Sequence, residues 1–344
     1  MSTATASKVK AYELDGEFGI DALTVRERAA QQLQPDQVRV RVKATSLNYR
    51  DLMVIKGLYS KNLPKPLTPL SDCAGEVLEV GALVKRVKVG DRVVGAFMQN
   101  WIAGPLDAAK AKSALGAALD GVLADQIVLQ GEGVVQIPDY LSFEEAATLP
   151  CAAVTAWNAV VATGQIKAGE TLVTLGTGGV SLFALQFAKA NGARVIITSS
   201  SDEKLQRAKE LGATDVINYK TNPDWEKEVI KLTGGVGADQ VVELGGAGTF
   251  EKSLKAVKLG GYVSMIGVLS GGAGSLNLTP VLMKNIRVQG IMVGSRHMFE
   301  EMLAAMTLHK IKPVIDGTFA FDQVKEALKH MEAGAHFGKI VIKV

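Results

Sequence analysis

The stretch Leu172–Ser201, LVTLGTGGVSLFALQFAKANGARVIITSSS, decides how this chain is read. An apolar run, TLVTL (171–175), meets the corner Gly176-Thr177-Gly178-Gly179-Val180-Ser181, and a helical pattern opens. Val180, Phe183, Ala184, Phe187 and Ala188 fall at the spacing that shares one helix face. Gly192 is placed to end that helix in a left-handed conformation, and RVIIT supplies a second strand. Strand, glycine turn, helix and strand form the context that a dinucleotide fingerprint requires. The first glycine permits the tight turn. The second lets backbone approach a pyrophosphate, whose charge sits on free N–H groups at the helix N-terminus. A third glycine would only ease helix–strand packing, so Ser181 weakens the motif more than the mechanism. Gly176, Thr177, Gly178, Gly179 and Val180 are therefore the candidate phosphate cradle. The alternative is a tight βα turn that holds nothing.

The end of the second strand sorts NAD from NADP. An NAD site usually offers a carboxylate about 20 residues on, gripping the ribose 2′-hydroxyl. Here that place reads Thr198-Ser199-Ser200-Ser201, and Asp202 and Glu203 are placed to serve the first turn of the next helix. Short hydroxyls at Ser199 and Ser200 leave room for a 2′-phosphate, Lys204 is placed to pair with it, and Arg207 offers a second cation. The alternative is a solvated helix face. NADPH is the expected cofactor.

Working outward, Ser142-Phe-Glu-Glu145 is a capping box that starts a helix. Strands and helices alternate from there to about residue 290 (TLVTL, RVIIT, DVIN, QVVEL, YVSMIG, IRVQGIMVG), which predicts a doubly wound parallel sheet. The preceding residues read as β-rich. VRVRVKA (38–44), GEVLEVG (75–81), GDRVVGA (90–96), ADQIVLQ and VVQIP are short strands with turn signals, the pattern of a barrel-like unit. Residues 97–122 break that rhythm and predict a long loop with at most a short helix. A helix, FDQVKEALKHMEAG, and a strand, KIVIKV, follow at the end. The expected division is 1–145, completed by 296–344, and 146–295.

The chain of 344 residues has the length of two domains, 47% hydrophobic and 21% charged residues, and thus enough apolar material for real cores. A net charge of +3 without a basic block gives nucleic-acid binding no support. MSTATASKVKAYEL lacks the apolar core of a secretory leader, and no stretch approaches about 20 apolar residues, so a cytoplasmic protein without a membrane span is expected. The two cysteines, Cys73 and Cys151, do not make a disulfide framework.

The chain resembles the medium-chain dehydrogenase/reductases over essentially its whole length. The resemblance rests on GDRVVG (90–95), LPCAAVTAW (149–157), GTGGVS, ELGATDVINY (210–219) and GKIVI (338–342). It implies an α/β protein: a GroES-like β-barrel, a Rossmann domain, and a return to the barrel. SLNYRDLMVIKGLY (46–59) and DCAGEVLEVG (72–81) are similar to the zinc-independent branch of quinone oxidoreductases and 2-enoyl reductases. Tyr219 of INYK matches a tyrosine that approaches the 2′-phosphate in such proteins. Val293-Gly294-Ser295-Arg296 resembles the family's nicotinamide-side loop, with Arg296 either meeting a phosphate or making a surface ion pair. Gly245, Gly267 and Val268 end strands of the parallel sheet, where α/β sheets bind ligands. The strand IRVQGIMV matches one that pairs across a dimer axis, so a homodimer is expected.

Zinc-dependent relatives hold the metal with a cysteine, a histidine and a second cysteine, beside a glutamate. The matching positions here are Asn48, Ser71 with Asp72, and Cys151, which leaves one ligand where three are needed. The four histidines all lie between 297 and 336. The family's structural zinc uses four cysteines, more than the chain contains. No metal is expected, and Cys151 reads as a buried helix residue. A metal supplies several kcal/mol of charge stabilisation at a carbonyl oxygen. Conjugate reduction suffers less from its loss than alcohol oxidation, because charge spreads over an enolate or hydroquinone that hydrogen-bond donors stabilise. Asn48, Tyr59 and Tyr49 are the candidate donors, the two tyrosines having packing roles as their alternative; Arg50 and Asp51 read as a structural pair. The expected activity is NADPH-dependent reduction of an enone, enal or quinone, a small-molecule substrate. An NAD(P)-dependent alcohol or carbonyl oxidoreductase, and a silent NADPH-binding protein like certain lens crystallins, are the competing readings.

Overall fold

A computed structural model describes residues 8–60 and 62–344. The reading of the first seven residues as no leader therefore lies partly outside the described residues. The chain divides into two compact units, crossing between them at Cys151/Ala152 and again at Gly294/Ser295.

The unit Ala152–Gly294 carries a six-stranded, all-parallel sheet. Its strands run, in spatial order, Asp215–Asn218, Arg194–Ser199, Thr171–Leu175, Ala238–Glu243, Val257–Met265 and Arg287–Gly290. The unit's first strand, Thr171–Leu175, thus lies at the centre, and the order reverses between it and Ala238–Glu243. Thr171–Leu175 is buried along its whole length, as continuous apolar runs in parallel sheets require. The helix Gly179–Ala190 buries Phe183, Ala184, Phe187 and Ala188, with Phe187 edge-on to Trp157 at 5.4 Å. Truncating a phenylalanine buried like these typically costs about 3–5 kcal/mol. Val180 departs from the expected apolar face and is only half-buried, because it stands in the first turn, at the open glycine corner. Gly192 ends the helix at φ +77, a conformation glycine adopts without strain.

The other unit is built on a seven-stranded sheet: the path Ile315–Ala320, Lys339–Lys343, Gln37–Ser46, Asp72–Val80, Arg92–Gly95 and Val134–Gln136, with Gln126–Gln130 pairing on Gln37–Ser46 off that path. Alternation places Val38, Val40, Val42 and Ala44 of Gln37–Ser46 in the core. Lys339–Lys343 lies antiparallel beside Gln37–Ser46, with Val341 opposite Ser46. Residues 97–122 form a packed loop with one short helix, Ala108–Ala111. Leu115 N–H donates to Phe97 O at 3.0 Å, Gln99 N–H donates to Ser113 O at 3.0 Å, and Trp101, Leu115 and Val122 are buried.

Candidate functional site

The dinucleotide corner comes first, within Ala152–Gly294. Gly176 follows Thr171–Leu175 and Gly245 follows Ala238–Glu243, so the two loops flank the reversal of strand order, where open α/β sheets bind ligands. Gly176 has φ +77, and a Cβ on either Gly176 or Gly178 would meet nothing within 4 Å. The helix opening at Gly179 has no side-chain cap, so its first N–H groups face that open space without a protein acceptor from a side chain. Both features fit a pyrophosphate. Thr177 is buried beside them. Ser181 is fully buried, and its hydroxyl donates to Leu175 O at 2.7 Å. It ties helix to strand where a third glycine would only permit close approach.

At the next strand end, Ser199 Oγ accepts from Ser201 N–H at 3.3 Å, and Ser201 Oγ accepts from Lys204 N–H at 3.3 Å. Asp202 accepts from the Asn218 side-chain amide at 2.7 Å, so the nearest carboxylate is committed to the end of the neighbouring strand. Tyr219 is 42% exposed, and its N–H donates to Ser199 O at 3.0 Å. Ser199, Ser200, Lys204 and Tyr219 thus share the carboxyl ends of two adjacent strands. Sequence reasoning missed Glu243. This fully buried carboxylate accepts from Gly245 N–H at 2.7 Å, Gly246 N–H at 3.0 Å and Thr249 Oγ1 at 2.6 Å, and also from Ser253 Oγ. It shapes the loop that begins with Gly245. Gly267 is held close to the backbone of Leu244, where a Cβ would come to 2.3 Å of the carbonyl oxygen. Val268 is 42% exposed beside it. Gly294 closes this unit.

Ser295 and Arg296 belong to the other unit. Ser295 Oγ accepts from Met298 N–H at 3.2 Å and caps the helix Arg296–His309. Arg296 donates to Glu132 O at 3.1 Å, pairs with the Glu132 carboxylate and lies 3.5 Å from Glu300. The ion pair, one of its two expected roles, is present.

Asn48, Ser71, Asp72 and Cys151 belong to one polar cluster in this unit. Asp72, fully buried, accepts from Ser71 Oγ at 2.9 Å and from Cys151 N–H at 3.3 Å. Lys339 reaches it from the last strand, with Nζ 3.7 Å from Asp72 Oδ2. The same ammonium donates to Leu47 O and to Asn48 Oδ1, each at 2.6 Å. Asn48 Nδ2 is buried and has no partner. Asp51 Oδ2 accepts from Asn48 N–H at 2.9 Å, and its Oδ1 accepts from Arg50 Nη1 at 3.2 Å. Burial pushes the Asp51 carboxyl up to about 6; Asp72 adds to the rise, while Arg50, the Asn48 N–H and Lys339 oppose it. Arg50 also donates to Leu115 O at 2.9 Å and lies between the rings of Tyr59 (5.2 Å) and Phe97 (5.0 Å). Its Nε and Nη2 are buried without acceptors. Tyr59 is 43% exposed and Tyr49 47%, so both hydroxyl-bearing rings are open to an incoming molecule. Leu70, just before Ser71, is buried at φ +70, a costly conformation for leucine that the packing imposes.

These donors do not suit zinc. Asn48 offers a carboxamide whose oxygen is taken by Lys339, and Ser71 is engaged with Asp72. The Cys151 thiol is pushed upward by burial and then by the Asp72 carboxylate. The Cys73 thiol is likewise pushed up, to about 12, chiefly by burial. No group of three or more His, Cys, Asp or Glu side chains among the described residues could hold a metal ion. No helix among the described residues is long and apolar enough to cross a membrane.

Comparison with known proteins places this geometry. A family model described as an alcohol dehydrogenase GroES-like domain matches residues 34–139, and one described as a zinc-binding dehydrogenase matches 179–307. A zinc-type alcohol dehydrogenase-like protein of Schizosaccharomyces pombe is 47% identical over 334 residues, 95% of this chain and 96% of its own. A structure from Sinorhizobium meliloti 1021, provisionally described as an alcohol dehydrogenase, is 41% identical with a TM-score of 0.91 over 100% of both chains. A quinone oxidoreductase from Pseudomonas syringae is 30% identical, with a TM-score of 0.83 over 98% of this chain and 100% of its own.

Proposed function

This chain belongs to the medium-chain dehydrogenase/reductase superfamily and is an oxidoreductase of it, and from that premise we propose an NADPH-dependent, zinc-independent reductase of activated double bonds or quinones. The observation that carries the reading is the unpartnered Asn48 Nδ2, a buried N–H donor standing where a zinc-dependent relative has a metal ligand.

The glycine corner and the uncapped helix at Gly179 bind the pyrophosphate, and Ser199, Ser200, Lys204 and Tyr219 receive the 2′-phosphate. Bound NADPH supplies the hydride. As an enal or enone accepts hydride at its β-carbon, negative charge collects on its oxygen, and Asn48 Nδ2–H donates to that oxygen. Tyr59 and Tyr49 are the candidates for returning a proton, to the α-carbon of an enal or the oxygen of a quinone. An alcohol or carbonyl oxidoreductase is the second reading, supported by the alcohol dehydrogenase-like relatives.

The test uses protein purified with chelator, NADPH, a small 2-enal and 1,4-benzoquinone, with products identified. A saturated aldehyde and hydroquinone support the reading. An allylic alcohol shows attack at the carbonyl and overturns it in favour of the second. A homodimer goes with this proposal. The strand Arg287–Gly290 is exposed along its length at the edge of the parallel sheet, and Val288→Lys should turn a dimer into a monomer in sedimentation. An unchanged mass would remove this strand from the interface.

A further inference from the structure

We propose that Lys339 is a positioning residue that fixes which way the Asn48 amide points, making Nδ2 a preset donor for the oxygen of the hydride acceptor. This inference rests on the reading above and assigns a part of that site that the reading leaves open.

A carboxamide has an accepting and a donating end, and only its neighbours decide which end faces where. An ammonium has donors only. With Lys339 Nζ 2.6 Å from one end of the Asn48 amide, that end must be Oδ1, and the flipped amide would set N–H against N–H. The orientation is thus chemically forced, and the leftover end is Nδ2, buried and unpartnered. A buried donor without an acceptor costs about 1–3 kcal/mol. Such a group calls for a partner the chain does not supply, and its chemistry names that partner: an oxygen acceptor. Arg50, two residues on, adds two more buried N–H groups without acceptors, so three unmet donors stand within three consecutive residues.

The position of Lys339 is over-determined. Leu47 O and Asn48 Oδ1 each accept an ammonium hydrogen, the Asp72 carboxylate pairs with the charge from 3.7 Å, and the side chain is 4% exposed. Asp72 is held in turn by Ser71 and Cys151 N–H. The amide that Lys339 holds therefore needs no reorganisation when charge develops on the substrate. The ammonium also polarises the amide through Oδ1, which strengthens the hydrogen bond that Nδ2 gives.

The experiment is a double-mutant cycle on kcat for whichever acceptor the wild type reduces, using Lys339→Met, Asn48→Ala and the pair. NADPH affinity by fluorescence titration serves as a readout that should not move. Each single change should lower kcat by about 10²-fold, the scale of losing one oxyanion donor. The double variant should be no slower than Asn48→Ala, because Lys339 acts through Asn48. Multiplying losses, or a Lys339→Met enzyme with wild-type kcat, would overturn the proposal while leaving the reductase reading standing. A wild type that reduces neither acceptor overturns both. Lys339→Met alone leaves Asp72 buried without its cation, so the cycle is repeated with Lys339→Met/Asp72→Asn, which removes both charges. Asn48→Asp is the complementary variant. Its carboxylate still pairs with Lys339 and should keep the protein folded, yet it offers no donor and should lose the same factor in kcat. Full activity in Asn48→Asp would overturn the proposal.

Discussion

The hydroxyl of Ser181 donates to the carbonyl oxygen of Leu175 across 2.7 Å, joining the first turn of the helix Gly179–Ala190 to the end of the central strand. The residue that departs from the glycine fingerprint is therefore a tie between two elements. Ser181→Ala leaves that bond unmade in a fully buried place and should cost about 1–2 kcal/mol in denaturant unfolding. NADPH affinity should change little. A variant as stable as wild type would show the bond to contribute nothing.

Gly178 separates folding from binding. Its φ of −79 suits alanine, and a Cβ there meets nothing within 4 Å. Gly178→Ala should unfold at the same denaturant concentration as wild type within about 0.5 kcal/mol. The methyl group should occupy the space a pyrophosphate needs, raising the NADPH dissociation constant by about 10-fold or more. Unchanged affinity would place the phosphates elsewhere.

Cofactor choice is tested at Lys204, at the strand end where the nearest carboxylate, Asp202, is held by Asn218. Lys204→Ala should weaken NADPH by about 10-fold, the worth of a charge-assisted contact, and leave NADH binding unchanged. Equal losses for both cofactors would mean that Lys204 serves the helix and not the 2′-phosphate.

Asp51 gives the protein a pH signature. Its folded-state carboxyl, raised to about 6, sits above the ordinary 3.8. Between those values the native state binds the proton first, so this group stabilises the fold as pH falls through about 6 toward 4, and costs stability above 6. The size is on the order of 2–3 kcal/mol. Denaturant midpoints for wild type and Asp51→Asn at pH 7 and pH 5 should show wild type gaining on the variant at the lower pH. A gain in the opposite direction would mean that the Arg50 pair outweighs burial.

What was legible in the sequence was local. The capping box closes as read, with Glu145 N–H donating to Ser142 Oγ at 3.1 Å and Ser142 N–H donating to Glu145 Oε2 at 2.8 Å. The glycine corner, Gly192 and the Arg50–Asp51 pair lie likewise within a few residues of what they act on. Lys339 and Asn48 are 291 residues apart, and GKIVI carried no sign of a buried ammonium. Arg296 and Glu132 are 164 apart, so the arginine could be placed on its loop but not given its partner. Glu243 ends a hydrophobic strand, and its role follows from a loop that curls back over it. Residues 97–122 lack a period because backbone pairs and buried side chains fix them, not a helix or a sheet.

The pairing of Lys339–Lys343 with Gln37–Ser46 has a consequence for how the protein is made. A ribosome has finished every residue of Ala152–Gly294 before it adds Lys339. Every residue of the glycine corner is therefore in the chain while Asp72 still waits for its ammonium. The nascent chain holds all of the corner's residues first, and the charge beside Asn48 only afterwards.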